Sequence, residues 1–356
     1  MDATLILADA YLHRIDPFVF HVSDSWGPRW YGLSYVAGFI VGYLLLRWMA
    51  RRRAILLPAA AVMDFIFYGA LGLVIGGRLG YVIFYEPGYL VTFTDAAPYW
   101  KVLAVHEGGM ASHGGIIGLL VACVIFARRR HVNLLHLLDI CAFGSGLGIM
   151  FGRIANFING EMYGRHTSAD LPWAVRFPHE IVAWNRASRL DDLAPAVDAL
   201  ALPQFNGQQW QGLVDPPVTA ENWRLIQSIK FRLIEATQQD TAVGQTVASA
   251  LRPVLEPRHP SQLYAALSEG LFMFVLMFVL WARPRKPGVI GSVFLIVYGM
   301  IRVLGEQFRT IDYYWLGITR VQWLSAAMVV IGAVWLAWAV RRNVPRIGGW
   351  RAVSGQ

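Results

Sequence analysis

The chain has 356 residues, of which 56% are hydrophobic and only 15% are charged. Soluble domains carry about a quarter of charged residues, so this composition excludes an ordinary soluble protein and predicts several membrane spans. The formal net charge of +8 does not indicate a nucleic-acid partner, because the basic residues lie in short clusters between apolar segments, a pattern typical of membrane topology.

Seven apolar segments of about 18–25 residues are each long enough to cross a bilayer as a helix. They lie near residues 30–49, 59–84, 110–127, 134–152, 262–282, 288–306 and 321–340. We therefore expect an all-α polytopic membrane protein with seven transmembrane helices and a polar head region between the fourth and fifth spans.

Clusters of basic residues predict the orientation of these helices. They follow the first, third, fifth and seventh spans, at Arg51–Arg53, Arg128–Arg130, Arg283–Lys286 and Arg341–Arg346. The positive-inside rule places this side of the membrane in the cytoplasm. We therefore expect a periplasmic N-terminus and a cytoplasmic C-terminus.

The polar stretches between the spans predict the domain organisation. We expect a periplasmic arm at residues 1–29, transmembrane helices 1–4 at 30–165, a periplasmic head at 166–258, transmembrane helices 5–7 at 259–341 and a cytoplasmic tail at 342–356. In the head, residues 220–238 have apolar positions at helical spacing, which predicts an amphipathic helix lying at the membrane interface.

The two cysteines, Cys123 and Cys141, lie inside apolar spans. Cysteines in such surroundings behave as small core residues, so we expect both to be unbridged and inert. The chain is therefore not expected to supply a cysteine nucleophile of its own.

Ionisable residues on three helices are expected at one level of the membrane. At about 1.5 Å of rise per residue, His113 lies roughly 22 Å above the cytoplasmic end of its span, and Arg302 lies at a similar height. Arg153 is expected to cap the outer end of the fourth span. Charge inside a membrane is costly and usually functional, so this level predicts a site for an anionic, lipid-embedded partner. Arg78 of the second span either joins this level or extends to the membrane surface.

The segment Gly152–Arg165, GRIANFINGEMYGR, brings polar residues to the end of the fourth span. We expect Gly160 and Gly164 to end the helix and turn the backbone over the membrane surface. The alternative is an ordinary helix terminus with arginines reaching the surface, which does not account for Asn156 and Glu161.

Four polar residues of the sixth span share one helix face, since Tyr298, Arg302, Glu306 and Arg309 follow at intervals of four, four and three. This face either lines a site or holds a packing pair of Arg302 with Glu306. His113, followed by two glycines, also has two interpretations: a group that titrates near neutral pH and takes part in chemistry, or a hydrogen-bonded packing residue.

Together these segments resemble the prolipoprotein diacylglyceryl transferase family. The matching pieces, in the family's order, are Trp30–Gly32, Gly76–Tyr81, Gly109–Gly115, Gly152–Arg165, His259–Tyr264 and Tyr298–Arg309. The resemblance implies an enzyme of the bacterial cytoplasmic (inner) membrane that takes the first step of lipoprotein maturation. It transfers the diacylglyceryl group of phosphatidylglycerol to the lipobox cysteine thiol of a preprolipoprotein and releases glycerol phosphate.

The resemblance also implies the site residues, which are Tyr31, His113, Arg153, Asn156, Glu161, Gly164, Tyr298, Arg302 and Glu306. We expect His113, Arg153, Tyr298, Arg302 and Glu306 to be catalytic. Tyr31, Asn156, Glu161 and Gly164, together with Arg153 and Arg302, are expected to bind substrate. No cofactor and no metal are expected, because histidines and carboxylates do not cluster at ligand spacing.

Two departures from the family pattern stand out. Ala265 follows Tyr264 where the family often has an acidic residue, although Glu269 provides a later one. The head between about 180 and 255 is longer than in many relatives and shows no resemblance.

Two other classes of function remain open. A transporter or lipid flippase would also place charge between helices, but such proteins often have paired halves, and this chain shows no internal repeat. A membrane chaperone or receptor would use the head to bind protein and the arginines to hold structural lipid.

Overall fold

A computed structural model describes residues 10–22, 27–105, 108–185, 187–203, 205–215, 218–310 and 314–350. The structure is predominantly helical. The helices are α1 (Trp30–Arg51), α2 (Val62–Phe84), α3 (Ser112–Arg130), α4 (Leu134–Ile158), α5 (Ala187–Asp191), α6 (Ala194–Ala199), α7 (Gly207–Val214), α8 (Ala220–Gln238), α9 (Ala242–Leu251), α10 (Ser261–Ala265), α11 (Met273–Trp281), α12 (Val289–Gly305) and α13 (Arg320–Arg341).

Four short strands are also present in the part of the chain that the structure describes. β1 (Tyr11–Leu12) pairs in parallel with β2 (Val175–Arg176), and β3 (Tyr314–Trp315) pairs antiparallel with β4 (Ile318–Thr319). A π-helical segment, Ala266–Phe272, joins α10 to α11. The π-helix is rare and is frequent at functional sites.

The prediction of seven spans is confirmed. In the described residues, seven helices are long and apolar enough to cross a membrane: Trp30–Arg51, Ala59–Phe84, Ser112–Arg130, Leu134–Ile158, Ser261–Trp281, Val289–Phe308 and Arg320–Arg341. The protein is thus an all-α, multi-pass membrane protein.

The fourth helix is longer than predicted. It continues to Ile158, because the residues between Arg153 and Ile158 include apolar positions that extend the helix. The prediction that Arg153 caps this helix was therefore wrong, and Arg153 and Asn156 both lie within its last turns. The predicted break is confirmed at Gly160, which has φ +67°, a conformation that glycine adopts without strain.

The chain divides into two compact units. The first comprises Met1–Val36, Ile149–Glu269 and Ile301–Trp323, and the second comprises Ala37–Gly148, Gly270–Met300 and Leu324–Gln356. The first unit contains the head and the end of α4, and the second contains α2 and α3.

In the second unit, α2 and α3 pack with their backbones in contact. A Cβ atom at Gly76 would lie 2.3 Å from the carbonyl oxygen of Gly114, and one at Gly118 would lie 2.0 Å from that of Gly72. Small residues allow membrane helices to approach this closely. Glycine is therefore needed at these positions for helix packing.

Arg78 of α2 finds its partners within the protein. Its side chain is buried and donates hydrogen bonds of 2.6–3.1 Å to the backbone oxygens of Lys101, Val102, Gly108 and Gly109. A buried charge needs such partners. Arg78 thus fixes the segment that precedes α3.

Asp139 plays a similar part in the second unit. Its buried carboxylate accepts hydrogen bonds from the backbone nitrogens of Gly288 and Gly291, each 2.7 Å long. These donors lie at the start of α12, where backbone N–H groups lack partners within the helix. Asp139 therefore caps α12 from another helix.

The head, in the first unit, has its own hydrophobic core. Trp210 of α7, Ile226 and Leu233 of α8 and Val247 of α9 are all fully buried in it. The predicted helix at 220–238 is confirmed as α8. Its side chains Ile226, Ile229 and Leu233 pack into the core of the head, so this side of the helix contacts protein, and its placement at the membrane interface stays a prediction.

The N-terminal arm is attached to the head through β1 and β2. Immediately after β1, the backbone nitrogen of His13 donates to the oxygen of Arg176 at 2.9 Å. The buried His13 ring packs at a 5.3 Å centroid distance against both Phe157 of α4 and Phe177. This contact places the arm against the end of α4.

Candidate active site

The segment after α4 folds back onto the helix. The backbone nitrogen of Glu161 donates to the oxygen of Asn156 at 3.0 Å, and Asn156 Nδ2 donates to Glu161 Oε1 at 2.8 Å. Asn156 is buried. The two residues therefore orient each other, and neither behaves as a solvated residue at a helix terminus.

The irregular backbone that follows finds its partners within the protein. Gln262 Nε2 donates to the oxygen of Glu161 at 2.8 Å, and Ser261 Oγ donates to that of Met162 at 3.1 Å. The nitrogen of Gly164 donates to the oxygen of His259 at 2.9 Å. Backbone without regular structure is tolerated at membrane depth only with such partners, so the start of α10 fixes this turn.

Gly164 is confined on several sides. A Cβ atom there would lie 2.4 Å from the oxygen of Phe308 and 2.6 Å from that of His259. These are backbone atoms that cannot move aside easily. Only glycine therefore fits where this segment passes between the residues before α10 and those after α12.

The head also contacts this segment through Arg258. Its Nη1 donates to the oxygen of Gly164 at 3.2 Å, its Nε donates to the buried Glu180 carboxylate, and its guanidinium lies 4.8 Å from the centre of the Tyr163 ring. Both charges are nearly inaccessible to solvent. The head thus holds the Tyr163–Gly164 segment through a buried ion pair.

Two arginines meet at a single carboxylate. Glu269 Oε1 accepts from Arg302 Nη1 at 2.8 Å, and Glu269 Oε2 lies 3.4 Å from Arg153 Nη2. Glu269 is 2% exposed, and the two arginines are 14% and 17% exposed. A charge-assisted pair of this kind fixes the positions of both guanidiniums.

Glu269 lies in the π-helical segment Ala266–Phe272. Gly305 of α12 packs nearby, since a Cβ atom there would lie 3.9 Å from Glu269 Oε1. The carboxylate is thus enclosed by protein on a membrane-spanning helix, where an ionisable residue is a candidate functional group.

Arg309 adds a third guanidinium. The α-helix ends at Gly305, a 3₁₀ turn carries Glu306–Phe308, and Arg309 is extended. The predicted continuous helical face therefore holds only as far as Gly305. Burial lowers the pKa of Arg309, and the positive charges of Arg153 and Arg302 lower it further, whereas Glu269 and the buried Glu306 raise it. These four charged side chains thus lie within electrostatic range of Arg309.

Tyr31 belongs to the same unit. It is the second residue of α1, and its hydroxyl lies 3.1 Å from that of Tyr35. Its phenol is within electrostatic range of Glu161 and Arg153. The first unit therefore brings together seven of the predicted residues: Tyr31, Arg153, Asn156, Glu161, Gly164, Arg302 and Glu306.

Comparisons with known proteins agree with this arrangement. The family described as prolipoprotein diacylglyceryl transferase matches residues 17–338. The chain belongs to the prolipoprotein diacylglyceryl transferase family.

Relatives in this family match almost the whole chain. The phosphatidylglycerol–prolipoprotein diacylglyceryl transferase of Bdellovibrio bacteriovorus is 45% identical over 349 residues, which cover 96% of this chain and 97% of the relative. Proteins of the same name from Cupriavidus metallidurans and Burkholderia multivorans are each 34% identical, over 93% of this chain and 95% and 96% of the relatives.

These alignments correct one expectation. An alignment over 96% of the chain necessarily includes most of the head, for which the sequence showed no resemblance. The head is therefore a part that this chain shares with at least one transferase of the family.

Two of the residues that resemble family site residues lie in the second unit. His113 is exposed, at the second position of α3. The Tyr298 ring of α12 stacks on Phe294 at a centroid distance of 5.4 Å. Their roles in the family reaction stay predictions.

Glu269, Gln262 and Arg258 have contacts at the site that the sequence did not reveal. Glu269 was noticed only as a later acidic residue after Tyr264, although a carboxylate inside an apolar span is itself a functional signal. Gln262 was noticed only as part of the matching piece His259–Tyr264, and Arg258 gave no signal. Each donates to a backbone oxygen about a hundred residues away in sequence, which local patterns do not reveal.

Proposed function

We propose that this protein transfers the diacylglyceryl group of phosphatidylglycerol to the lipobox cysteine of a preprolipoprotein, the first step of bacterial lipoprotein maturation. The cysteine sulfur forms a bond to the terminal glycerol carbon, and the bond from that carbon to the phosphate oxygen breaks. The thiol loses its proton, and glycerol phosphate leaves with the electron pair of the broken bond. The product on the peptide is a thioether.

The observation that carries this proposal is the meeting of Arg153 and Arg302 at Glu269. Guanidinium groups stay charged at any relevant pH and present several donors that match phosphate oxygens. Two of them, held at one place by a buried carboxylate, can stabilise the negative charge that grows on the departing phosphate. Such preorganised electrostatic stabilisation is usually the largest contribution to catalysis.

The remaining predicted residues have supporting roles in this proposal. Asn156 and Tyr298 donate further hydrogen bonds to the headgroup, and Tyr31, Glu161 and Gly164 shape the binding site. Glu306 helps to orient the arginines. The peptide supplies the nucleophile, which fits with the two cysteines of the chain lying in helices α3 and α4 as free thiols.

His113 is the proposed proton acceptor. A free cysteine thiol has a pKa of about 8.5, so a base that removes its proton accelerates attack. An imidazole changes its charge in the physiological range. The proposal therefore assigns to His113 the removal of the thiol proton as the carbon–sulfur bond forms.

The proposal includes a location. Membership in a bacterial family supports a place in the bacterial cytoplasmic membrane. The basic clusters on alternate loops support an orientation with the N-terminus and head in the periplasm and the C-terminus in the cytoplasm. In this orientation the arginines lie towards the outer leaflet, where a lipoprotein precursor presents its lipobox after export.

A direct test uses the purified protein, phosphatidylglycerol and a lipobox peptide. Mass spectrometry should detect a peptide heavier by one diacylglyceryl group, together with free glycerol phosphate. A peptide with serine in place of the cysteine is the matched control and should remain unmodified. A peptide of unchanged mass, with lipid moved between leaflets, would instead identify a transporter.

Two variants test the assigned roles. Arg302→Ala and Arg302→Lys should both reduce glycerol phosphate release, because lysine cannot reproduce the fork of donors. Near-normal turnover in both would remove Arg302 from the phosphate-binding role. An active His113→Asn variant with an unchanged pH profile would count against His113 as the base.

A further inference from the structure

The backbone of Arg309 is held by contacts that do not involve its side chain. Its nitrogen donates to the oxygen of Glu306 at 3.2 Å, and its oxygen accepts from Arg165 Nε at 2.7 Å. The backbone of Arg309 also forms an isolated antiparallel β-bridge with that of Gly164. A change of the Arg309 side chain should therefore leave this part of the fold in place.

One donor of the Arg309 side chain lacks a hydrogen-bond partner in the described part of the chain. Its Nη1 atom is buried and has no hydrogen-bond partner among the residues that the structure describes. Leaving a buried charged donor unsatisfied is costly. The group nevertheless lies within electrostatic range of two like charges, Arg153 and Arg302.

The surroundings carry an excess of positive charge. Among the described residues, the charged groups within electrostatic range of Arg309 are Arg153, Arg302, Glu269 and Glu306, so around this guanidinium three cations face two anions. One oxygen of Glu269 is directed to Arg302 and the other to Arg153. The group formed by these five charged side chains is therefore suited to one further anion, to which the buried Nη1 atom of Arg309 can donate a hydrogen bond.

We propose that Arg309 is a third phosphate-binding residue, which donates its buried Nη1 hydrogen to the phosphate of the lipid headgroup. This inference rests on the proposed function. When the carbon–oxygen bond breaks, its electron pair moves to the phosphate, whose charge becomes more negative. Arg309 remains protonated throughout and stabilises that added charge together with Arg153 and Arg302.

A packing role for Arg309 predicts different behaviour. If the side chain only filled space, a neutral residue of similar length would leave lipid binding unchanged. If it binds phosphate, loss of its charge should weaken the binding of a lipid whose headgroup carries a phosphate and leave that of a diacylglycerol, which has no phosphate, unchanged.

The experiment measures binding apart from transfer. The full-length protein, Arg309→Gln, Arg309→Lys and Arg224→Gln are titrated in detergent with dihexanoyl phosphatidylglycerol and with dihexanoylglycerol. Arg224 is exposed on α8, so its variant removes the same charge from the same unit. Arg309→Gln should weaken phosphatidylglycerol binding about ten- to hundredfold. Arg309→Lys should weaken it less, and Arg224→Gln should have no effect.

Turnover then separates this inference from the proposed function. With a lipobox peptide, Arg309→Gln should lower kcat as well as raise KM, because the interaction strengthens as charge develops. Equal phosphatidylglycerol affinity in Arg309→Gln and the unaltered protein would overturn the assignment, even if the unaltered protein transfers lipid normally. Failure of the unaltered protein to bind this lipid would overturn it too. Normal binding without any transfer would instead contradict the proposed function alone.

If Arg309→Gln does not fold, Arg309→Lys retains the test. It keeps a cation but loses the planar fork, so phosphatidylglycerol should bind several-fold more weakly. An Arg309→Lys variant with unchanged affinity and unchanged kcat would overturn the role of Arg309.

Discussion

Glu269 Oε1 accepts a hydrogen bond of 2.8 Å from Arg302 Nη1, between residues 33 positions apart in the chain. The second oxygen of the same carboxylate faces Arg153, which is 116 positions away. A carboxylate that binds two guanidiniums sets their separation and direction. Glu269 thus holds the two arginines together, and in the proposed function they form one phosphate-binding site.

Neutralising Glu269 should impair both catalysis and stability. In Glu269→Gln, the arginines lose their shared counterion, and removing one partner of a buried ion pair costs about 3–5 kcal/mol. We expect kcat for glycerol phosphate release to fall at least about tenfold. Steady-state kinetics and the thermal unfolding midpoint measure the two effects.

The exposed Glu221 on α8 offers a matched control for Glu269. Glu221→Gln removes the same charge and should change neither quantity. Glu269→Asp should restore part of the activity, because it keeps the charge. Full activity in Glu269→Gln would show that the arginines do not need this carboxylate.

Gly164 and Gly152 should respond differently to the same substitution. A methyl group at Gly164 would meet two backbone oxygens at 2.4 and 2.6 Å, whereas nothing lies within 4 Å of the corresponding position at Gly152. Gly164→Ala should therefore abolish measurable transfer and lower the unfolding midpoint. Gly152→Ala, within α4, should fold normally, since alanine favours the helix. An active Gly164→Ala protein would contradict the described packing.

Replacing Gln262 should disturb the turn that carries Glu161. In Gln262→Leu the oxygen of Glu161 loses its donor, and a buried unsatisfied acceptor costs about 1–3 kcal/mol. Gln262→Glu should have a similar effect, because an ionised carboxylate cannot donate. The unfolding midpoint and KM for phosphatidylglycerol measure the change.

Gln211 on the exposed side of α7 provides the comparison. Gln211→Leu should leave the unfolding midpoint and KM as they are. If Gln262→Leu behaved like Gln211→Leu, the bond to Glu161 would have no part in holding the turn.

Acidification should destabilise the contact between the N-terminal arm and α4. Burial lowers the pKa of His13 from 6.5 to about 4, and the neighbouring His179 contributes to the shift. The folded state disfavours the charged form of the His13 imidazole. The contribution of the neutral ring to the free energy of unfolding is therefore fully present above pH 6.5. It falls as the pH drops from 6.5 towards 4, by up to about 3 kcal/mol.

His13→Phe should reduce the dependence of the unfolding free energy on pH, since phenylalanine does not titrate. Thermal unfolding of the full-length protein at pH 7.5, 6 and 5 measures the slope. His131, an exposed residue after α3, gives the control variant His131→Asn, which should retain the slope of the unaltered protein. Identical slopes in His13→Phe and the unaltered protein would argue against a buried neutral His13.

Local sequence properties were sufficient to predict much of this protein. The length and apolar character of seven segments determined the spans, because a helix must satisfy its own backbone inside lipid. Gly160 indicated the helix break, since glycine readily adopts a positive φ. Polar residues in otherwise apolar spans indicated Arg153 and Arg302 as candidate site residues, because charge inside a membrane is costly.

Contacts between distant residues were decided only by the tertiary structure. The pairing of Glu269 with two arginines, the unsatisfied Nη1 of Arg309 and the burial of α8 in the head all join segments far apart in the chain. Helical spacing shows which residues share a face of a helix, but not which residues from other parts of the chain that face contacts. The free energy of a buried charge depends on the groups around it, and those groups are assembled only when the chain folds.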